Sequence, residues 1–200
     1  LVLWSLAHSP PALGTFYAKL LDLALPRLRR VAILNLELAY PEKTPAERQA
    51  ITDEVFRSIG RLLYALARFP QMNAQNISDW IRYEGIEHFK AAKQAGHGVL
   101  FATAHLGNWE LSAFAHGLMT EPMHVVIRPL DNPRIDQLVE QRRQLSGNHL
   151  IQKWDGARAI LRALQQNDAV GILIDQNTSP QEGAFVNFFG TPACANTGFA

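Results

Sequence analysis

Val99-Leu100-Phe101-Ala102-Thr103-Ala104-His105-Leu106-Gly107-Asn108-Trp109-Glu110 is the stretch from which the fold is read. Residues 99–104 form an apolar run of strand length, closed by Gly98 before it and polar residues after it. A run this short, bounded by turn residues, fits a buried strand better than a helix. Gly107 then allows a tight turn, Asn108 is a good N-cap, and Trp109 to Leu118 reads as a helix.

The same unit recurs further on. Val125-Val126-Ile127 reads as a strand, and Asn132-Pro133 opens a helix through Ile135, Leu138, Val139 and Leu145 to Gly147. Asp155 opens the next helix, with Ile160, Leu161 and Leu164, and Ala169-Val170-Gly171-Ile172-Leu173-Ile174 is a second buried-strand candidate. Upstream, Ile81-Arg82-Tyr83 suggests a short strand, and Ile86, Phe89 and Ala92 a short helix. Strands alternating with helices of this length predict an α/β fold, with a sheet buried on both faces and flanked by helices.

The first seventy residues read differently, as all helix. Leu13, Phe16, Tyr17, Leu20, Leu21 and Ala24 repeat at helical spacing and mark one apolar face. Pro26 should end or kink that helix, and Arg27, Arg29 and Arg30 follow. Such a helix either packs into a core with a solvated basic end or lies in a membrane interface with its arginines toward anionic headgroups. Thr44-Pro45-Ala46-Glu47 is a capping-box start. Ile51, Val55, Ile59, Leu62, Leu63 and Leu66 then carry an apolar stripe up to Pro70.

Composition narrows the function. Apolar residues make up 48% of the 200 and charged residues 18%, which excludes a disordered chain. Nineteen Lys and Arg against eighteen Asp and Glu leave a net charge of +1, with no bulk field to draw in nucleic acid. The single cysteine, Cys194, excludes an internal disulfide framework and a multi-cysteine zinc site, and it reads as a small packing residue. No apolar run reaches the roughly 18 residues of a transmembrane helix. No P-loop, dinucleotide fingerprint or Gly-x-Ser-x-Gly elbow is present.

In open α/β sheets ligands gather beyond the carboxyl ends of the strands. His105 stands at the end of the first strand, and Glu110 follows five residues on. On one continuous helix the two would lie about 140° apart, from roughly 100° per residue. With His105 in the turn before the helix they could meet, Glu110 holding one ring nitrogen while the other acts as a base. The alternative is a histidine satisfying a backbone carbonyl beside a capping glutamate. Arg128 ends the second strand and Asp175 the last, so both should reach the same sheet edge. Arg128 could fork onto phosphate or carboxylate, or form an ordinary ion pair. Asp175 could serve the site or cap a turn with Gln176-Asn177. Arg142-Arg143 reads as a solvated helix face. The histidine spacing does not match a metal-binding helix, so no metal and no cofactor are expected.

Ala102 to Glu110 resembles the His-x4-Asp/Glu block of the lysophospholipid acyltransferase superfamily, and more narrowly the bacterial lipid A biosynthesis acyltransferases of the lauroyl/myristoyl type. Asn35-Leu36-Glu37-Leu38-Ala39-Tyr40-Pro41 is similar to the family's segment before its long helix. Arg128-Pro129-Leu130-Asp131-Asn132-Pro133 is similar to its second block. Asp175-Gln176 with Phe188-Phe189-Gly190-Thr191-Pro192 is similar to its third. The likeness runs over about residues 28–200.

This resemblance implies a mixed, largely parallel sheet flanked by helices, with a hydrophobic groove for an acyl chain. It implies transfer of a fatty acyl group from an acyl carrier protein or CoA thioester to a hydroxyl of a membrane glycolipid, most naturally a lipid A precursor. The enzyme would sit on the cytoplasmic face of the inner membrane and have no nucleic-acid partner. The family's catalytic pair maps onto His105 and Glu110, its phosphate-binding basic position onto Arg128, and its acid near the acceptor onto Asp175. Backbone N–H groups around Asn108 and Trp109 would face the developing oxyanion, which makes Asn108 a substrate-binding candidate. The expected organisation is a membrane-proximal helical region over residues 1–75 and an acyltransferase core over 76–200, cut short at its C-terminal end. Another acceptor (a lysophospholipid, aminolipid or mannoside), a thioesterase, or a non-catalytic lipid-binding protein are the competing readings.

Overall fold

A computed structural model describes residues 2–197. Four helices come first: α1 (Val2–Ala7), α2 (Ala12–Ala24), α3 (Pro26–Ala39) and α4 (Pro45–Arg68). After α5 (Ile86–Gln94), strands and helices alternate: β1 (Val99–Thr103), α6 (Trp109–Met119), β2 (His124–Ile127), α7 (Pro133–Gln144), β3 (His149–Gln152), α8 (Gly156–Gln165) and β4 (Ala169–Leu173). Two further strands, β5 (Gly183–Phe188) and β6 (Thr191–Asn196), close the described chain. The chain forms two compact units: Phe69–Asp175, and the residues up to Arg68 together with those from Gln176 onward.

The Phe69–Asp175 unit is the α/β fold expected from the alternation. Its four strands are all parallel, in the order β1-β4-β2-β3. The last strand therefore enters between the first two. Thr103 stands opposite Leu173 at the carboxyl end of the β1–β4 ladder, and Ile174 N–H donates to the Thr103 carbonyl at 2.9 Å. The central strand β4 begins with three buried residues, Ala169, Val170 and Gly171. A cluster of Phe89, Met123 and Ala169 takes in Val99, Phe101, Ala113 and Val125 around it. Phe69 and Phe114 stack face to face, ring centroids 4.0 Å apart.

Two expectations for this unit need correction, and one strand was not foreseen. β1 is an edge strand, and Leu100, Ala102 and Thr103 are exposed, so burial on both faces describes β4 and not β1. Residues 81–83 form no strand, because no neighbouring segment offers them a ladder. His149–Gln152 does form one, although only Leu150 and Ile151 in it are aliphatic. Pairing with β2, where His124 faces His149, extends it.

In the other unit, the helix breaks at Pro26, which becomes the first residue of α3. The capping box forms as read: Thr44 N–H donates to Glu47 Oε2 at 2.8 Å, and Glu47 N–H to Thr44 Oγ1 at 3.3 Å. The α2 face toward α4 is made of small residues, Gly14 and Ala18. A Cβ added at Gly60 of α4 would lie 2.6 Å from the Gly14 carbonyl oxygen and 2.9 Å from the Ala18 Cβ. That clearance leaves room for glycine alone. The large members of the expected face, Phe16 and Leu20, point outward, as do Leu23, Leu28, Leu34 and Leu38. A simple core-packing helix does not describe that arrangement.

Arg29 leaves the basic cluster too. It donates to Asp22 through Nε at 2.7 Å and to Asp53 through Nη2 at 2.6 Å. Its bonds to Asp22 and Asp53 raise it above the ordinary arginine range. Arg27 and Arg30 remain exposed. β5 and β6 form an antiparallel hairpin, unforeseen from the sequence, and Phe189 at its turn packs on Tyr40, ring centroids 5.0 Å apart. Cys194 is buried there, as read. Among the described residues, no helix is long and apolar enough to cross a membrane.

Candidate active site at the carboxyl edge of the sheet

The parallel ladder brings three strand ends to one edge. His105 follows β1, Asp175 follows β4 and Arg128 follows β2, with β4 between the other two. This is the edge where α/β sheets bind ligands. The turn after β1 depends on Gly107, whose φ of 61° lies in the left-handed region that favours glycine. Asn108 then caps α6, its Oδ1 accepting from Leu111 N–H at 3.1 Å. The side chain of Asn108 is thus committed to the helix start, and any contribution to a substrate would come from backbone N–H groups beside it.

His105 is held by Asp175. Extending the Thr103–Leu173 register by two residues sets these two opposite each other. His105 N–H donates to Asp175 Oδ2 at 2.8 Å, and His105 Nδ1 lies 2.8 Å from Asp175 Oδ1. Burial raises the Asp175 carboxyl, but the ring and backbone hydrogen bonds from His105 outweigh it and hold it below the ordinary carboxylate range. Asp175 is therefore an anion at neutral pH, and the ring nitrogen facing it is the one that carries a proton. The Trp109 ring meets the imidazole edge-on, centroids 5.1 Å apart. The two side chains stay 30% and 37% exposed, open enough for a substrate to reach.

Glu110 does not occupy the place expected of it. Its carboxylate accepts two bonds from Arg143 of α7, Nε to Oε2 at 2.9 Å and Nη2 to Oε1 at 2.5 Å. The pair is mostly buried, with the Arg143 and Glu110 side chains 17% and 11% exposed. A guanidinium fork satisfies both carboxylate oxygens at once, which a single imidazole N–H cannot do. Burial lowers Arg143, but Glu110 more than compensates and leaves it above the ordinary arginine range. The reading of Arg142-Arg143 as a solvated face is thus corrected for Arg143. Its only sequence signal was a position on the helix after the second strand, which says nothing of what it meets.

Arg128 is 68% exposed and lies 3.5 Å from Asp131. That contact is a weak surface pair of the kind typically worth ~0–1 kcal/mol, so it leaves the guanidinium available to an anion.

A sequence model of the family described as bacterial lipid A biosynthesis acyltransferase matches residues 2–200. The chain is 28% identical over 200 residues to the lipid A biosynthesis palmitoleoyltransferase of Escherichia coli K12, covering 98% of this chain and 65% of that protein. It is 30% identical, with the same coverage, to the lipid A biosynthesis lauroyltransferase of the same organism. Over 173 residues it is 31% identical to a lipid A biosynthesis acyltransferase of Haemophilus influenzae, covering 85% of this chain and 54% of that protein. The chain spans about 65% of the length of the first two relatives.

Proposed function

The chain belongs to the bacterial lipid A biosynthesis acyltransferase family, and from that membership and the strand-end geometry we propose that it is the core of an O-acyltransferase. It moves a fatty acyl group from an acyl carrier protein or CoA thioester to a hydroxyl of a lipid A precursor. The observation that carries this reading is the His105 ring. Nδ1 is occupied by Asp175, so Nε2 is the nitrogen left to take a proton.

The steps follow from that ring. Nε2 accepts the proton of the acceptor hydroxyl as its oxygen bonds to the thioester carbonyl carbon. The negative charge that develops on the carbonyl oxygen falls within reach of backbone N–H groups at the start of α6, where the helix dipole also favours it. The carbon–sulfur bond then breaks, the leaving thiolate takes the proton back from the imidazolium, and an ester and a thiol result. Arg128 binds a phosphate of the glycolipid as an exposed fork.

The lipid substrate places the protein at a membrane interface, on the cytoplasmic face of the inner membrane. The outward leucines and Phe16 of α2 and α3, with Arg27 and Arg30 beside them, support that location. So do Leu106, Leu130 and Trp154, exposed apolar residues in the segments just after β1, β2 and β3.

The test is His105→Ala in the full-length protein, assayed with acyl thioester and lipid A precursor. Turnover should fall by about 10²–10⁴-fold or more, with an unchanged circular dichroism spectrum. Near-normal turnover would overturn the mechanism. Mass spectrometry of the lipid product identifies the acceptor and the chain transferred.

A further inference from the structure

The crossovers of the sheet do not all run the same way. From β1 through α6 to β2, and from β2 through α7 to β3, the chain steps in one direction along the order β1-β4-β2-β3. From β3 through α8 to β4 it steps back. Right-handed crossovers therefore set α6 and α7 on one face of the sheet and α8 on the other. There α8 packs on β2, β3 and β4. Its inward side is small and apolar, with Gly156 and Ala163 buried and Ile160 half-buried.

The outward side is different. Arg158, Leu161 and Arg162 are exposed, Leu161 at 60%. At roughly 100° per residue these three fall within about 100° of one another around the helix. Lys153, in the 3₁₀ turn before α8, is exposed as well. From Lys153 to Gln166 the chain carries three cations and one acid, Asp155. The side chains of Lys153, Arg158 and Arg162 have no ion pair or hydrogen bond among the described residues. Arg29, Lys93 and Arg143, by contrast, each hold a carboxylate. Two other acids near these elements are engaged: Asp168 lies 3.1 Å from His124, and Glu140 accepts from Gln152.

A membrane is the poorer match for this face. One leucine between two arginines gives a bilayer little to take in, whereas α2 and α3 turn out Phe16 and several leucines. An apolar residue flanked by unpaired cations matches a protein interface whose partner is acidic. Position narrows the partner. α8 starts just beyond β3, three strands along from β1, after which His105 stands. At ~4.8 Å per strand that separation is roughly 14 Å. A partner seated on α8 must therefore bring its acyl group to His105 on an arm.

We propose that the outer face of α8, with Lys153, is the docking surface for an acidic acyl carrier protein, which delivers its thioester along the sheet edge to His105. The proposal rests on the acyl-transfer reading and chooses between its two donors, a carrier protein and CoA.

The experiment uses the full-length protein in detergent and a fluorescently labelled bacterial holo-acyl carrier protein. Anisotropy reads binding without any turnover. The parent protein should bind, and more weakly as salt rises, because exposed charges are screened. Arg158→Glu/Arg162→Glu should weaken binding by about tenfold or more, with an unchanged melting temperature because both sites are exposed. The same variant should raise KM for the acyl carrier protein more than KM for acyl-CoA. Unchanged carrier binding in the double variant overturns the proposal, as does an equal rise in the two KM values. Loss of binding to anionic phospholipid vesicles at unchanged carrier binding assigns the face to the membrane and overturns it too. If His105→Ala keeps its turnover, the acyl-transfer reading fails, while anisotropy still decides whether α8 holds the carrier protein.

Discussion

The two compact units differ in the balance between buried large side chains and close backbone approach. In the unit from Phe69 to Asp175 the large side chains are inside: Phe69, Ile77, Phe114 and Val170 are among its most buried residues. In the helices before Arg68 Leu6, Phe56 and Leu66 are buried too, but the tightest helix contact is made by Gly14, Ala18 and Gly60, and Phe16 and several leucines face outward, Leu23 at 79% exposure. The first unit draws stability from apolar area taken out of water. The second brings backbones close and leaves much of its apolar area available to something else. An apolar stripe in a sequence therefore marks a face that avoids water, without saying whether protein or lipid covers it.

That contrast can be broken by substitution. The largest effect should come from Phe114→Ala, which removes one half of the stacked pair with Phe69 and should cost about 3–5 kcal/mol by urea unfolding. A loss under 1 kcal/mol would show that the sheet unit does not depend on its large residues. Gly60→Val should cost less, about 1–3 kcal/mol, because the new side chain meets the backbone of α2 and must separate the two helices. An unchanged melting temperature would mean that the close crossing does not exist in solution.

The third effect depends on pH. His116 is buried beside Phe89 and Phe101, with Tyr83 Oη 3.1 Å from its Nδ1. Burial lowers it below the ordinary histidine value of 6.5, and the charge of Glu121 offsets that only in part. The folded protein keeps the ring neutral where the unfolded chain would protonate it. Its contribution to stability is thus complete above pH 6.5 and declines as pH falls below that value. His116→Phe should flatten this part of the stability–pH curve, and an identical slope in the variant would assign it to other groups.

The smallest effect on stability should come from Leu23→Ser, within about 0.5 kcal/mol, as expected for an exposed site. The same substitution should weaken binding to anionic vesicles by on the order of tenfold, the equivalent of losing one inserted leucine. Loss of stability without loss of vesicle binding would reverse the reading of that face.

Much of the fold could be read locally. Strand length, the Gly107–Asn108 turn and cap, and the Thr44–Glu47 box are decided by residues within a few positions of one another, so β1, α6 and the start of α4 fall where the sequence puts them. The short strand β3 and the β5–β6 hairpin were not legible, because each is a strand mainly by virtue of its partner. The candidate site divides the same way. That His105, Arg128 and Asp175 end three strands on one edge follows from parallel alternation. That Arg143 would reach back to Glu110 does not, since helix periodicity gives a face and not its neighbour.

By itself the sequence determined the α/β class, the helical beginning and the histidine at the end of the first strand. The tertiary structure decided which acid holds that histidine. The family resemblance pointed to Glu110, five residues away, but the last strand enters beside the first and its register sets Asp175 opposite His105. Strand order is settled by the packing of the whole sheet, so no short stretch of sequence could carry it.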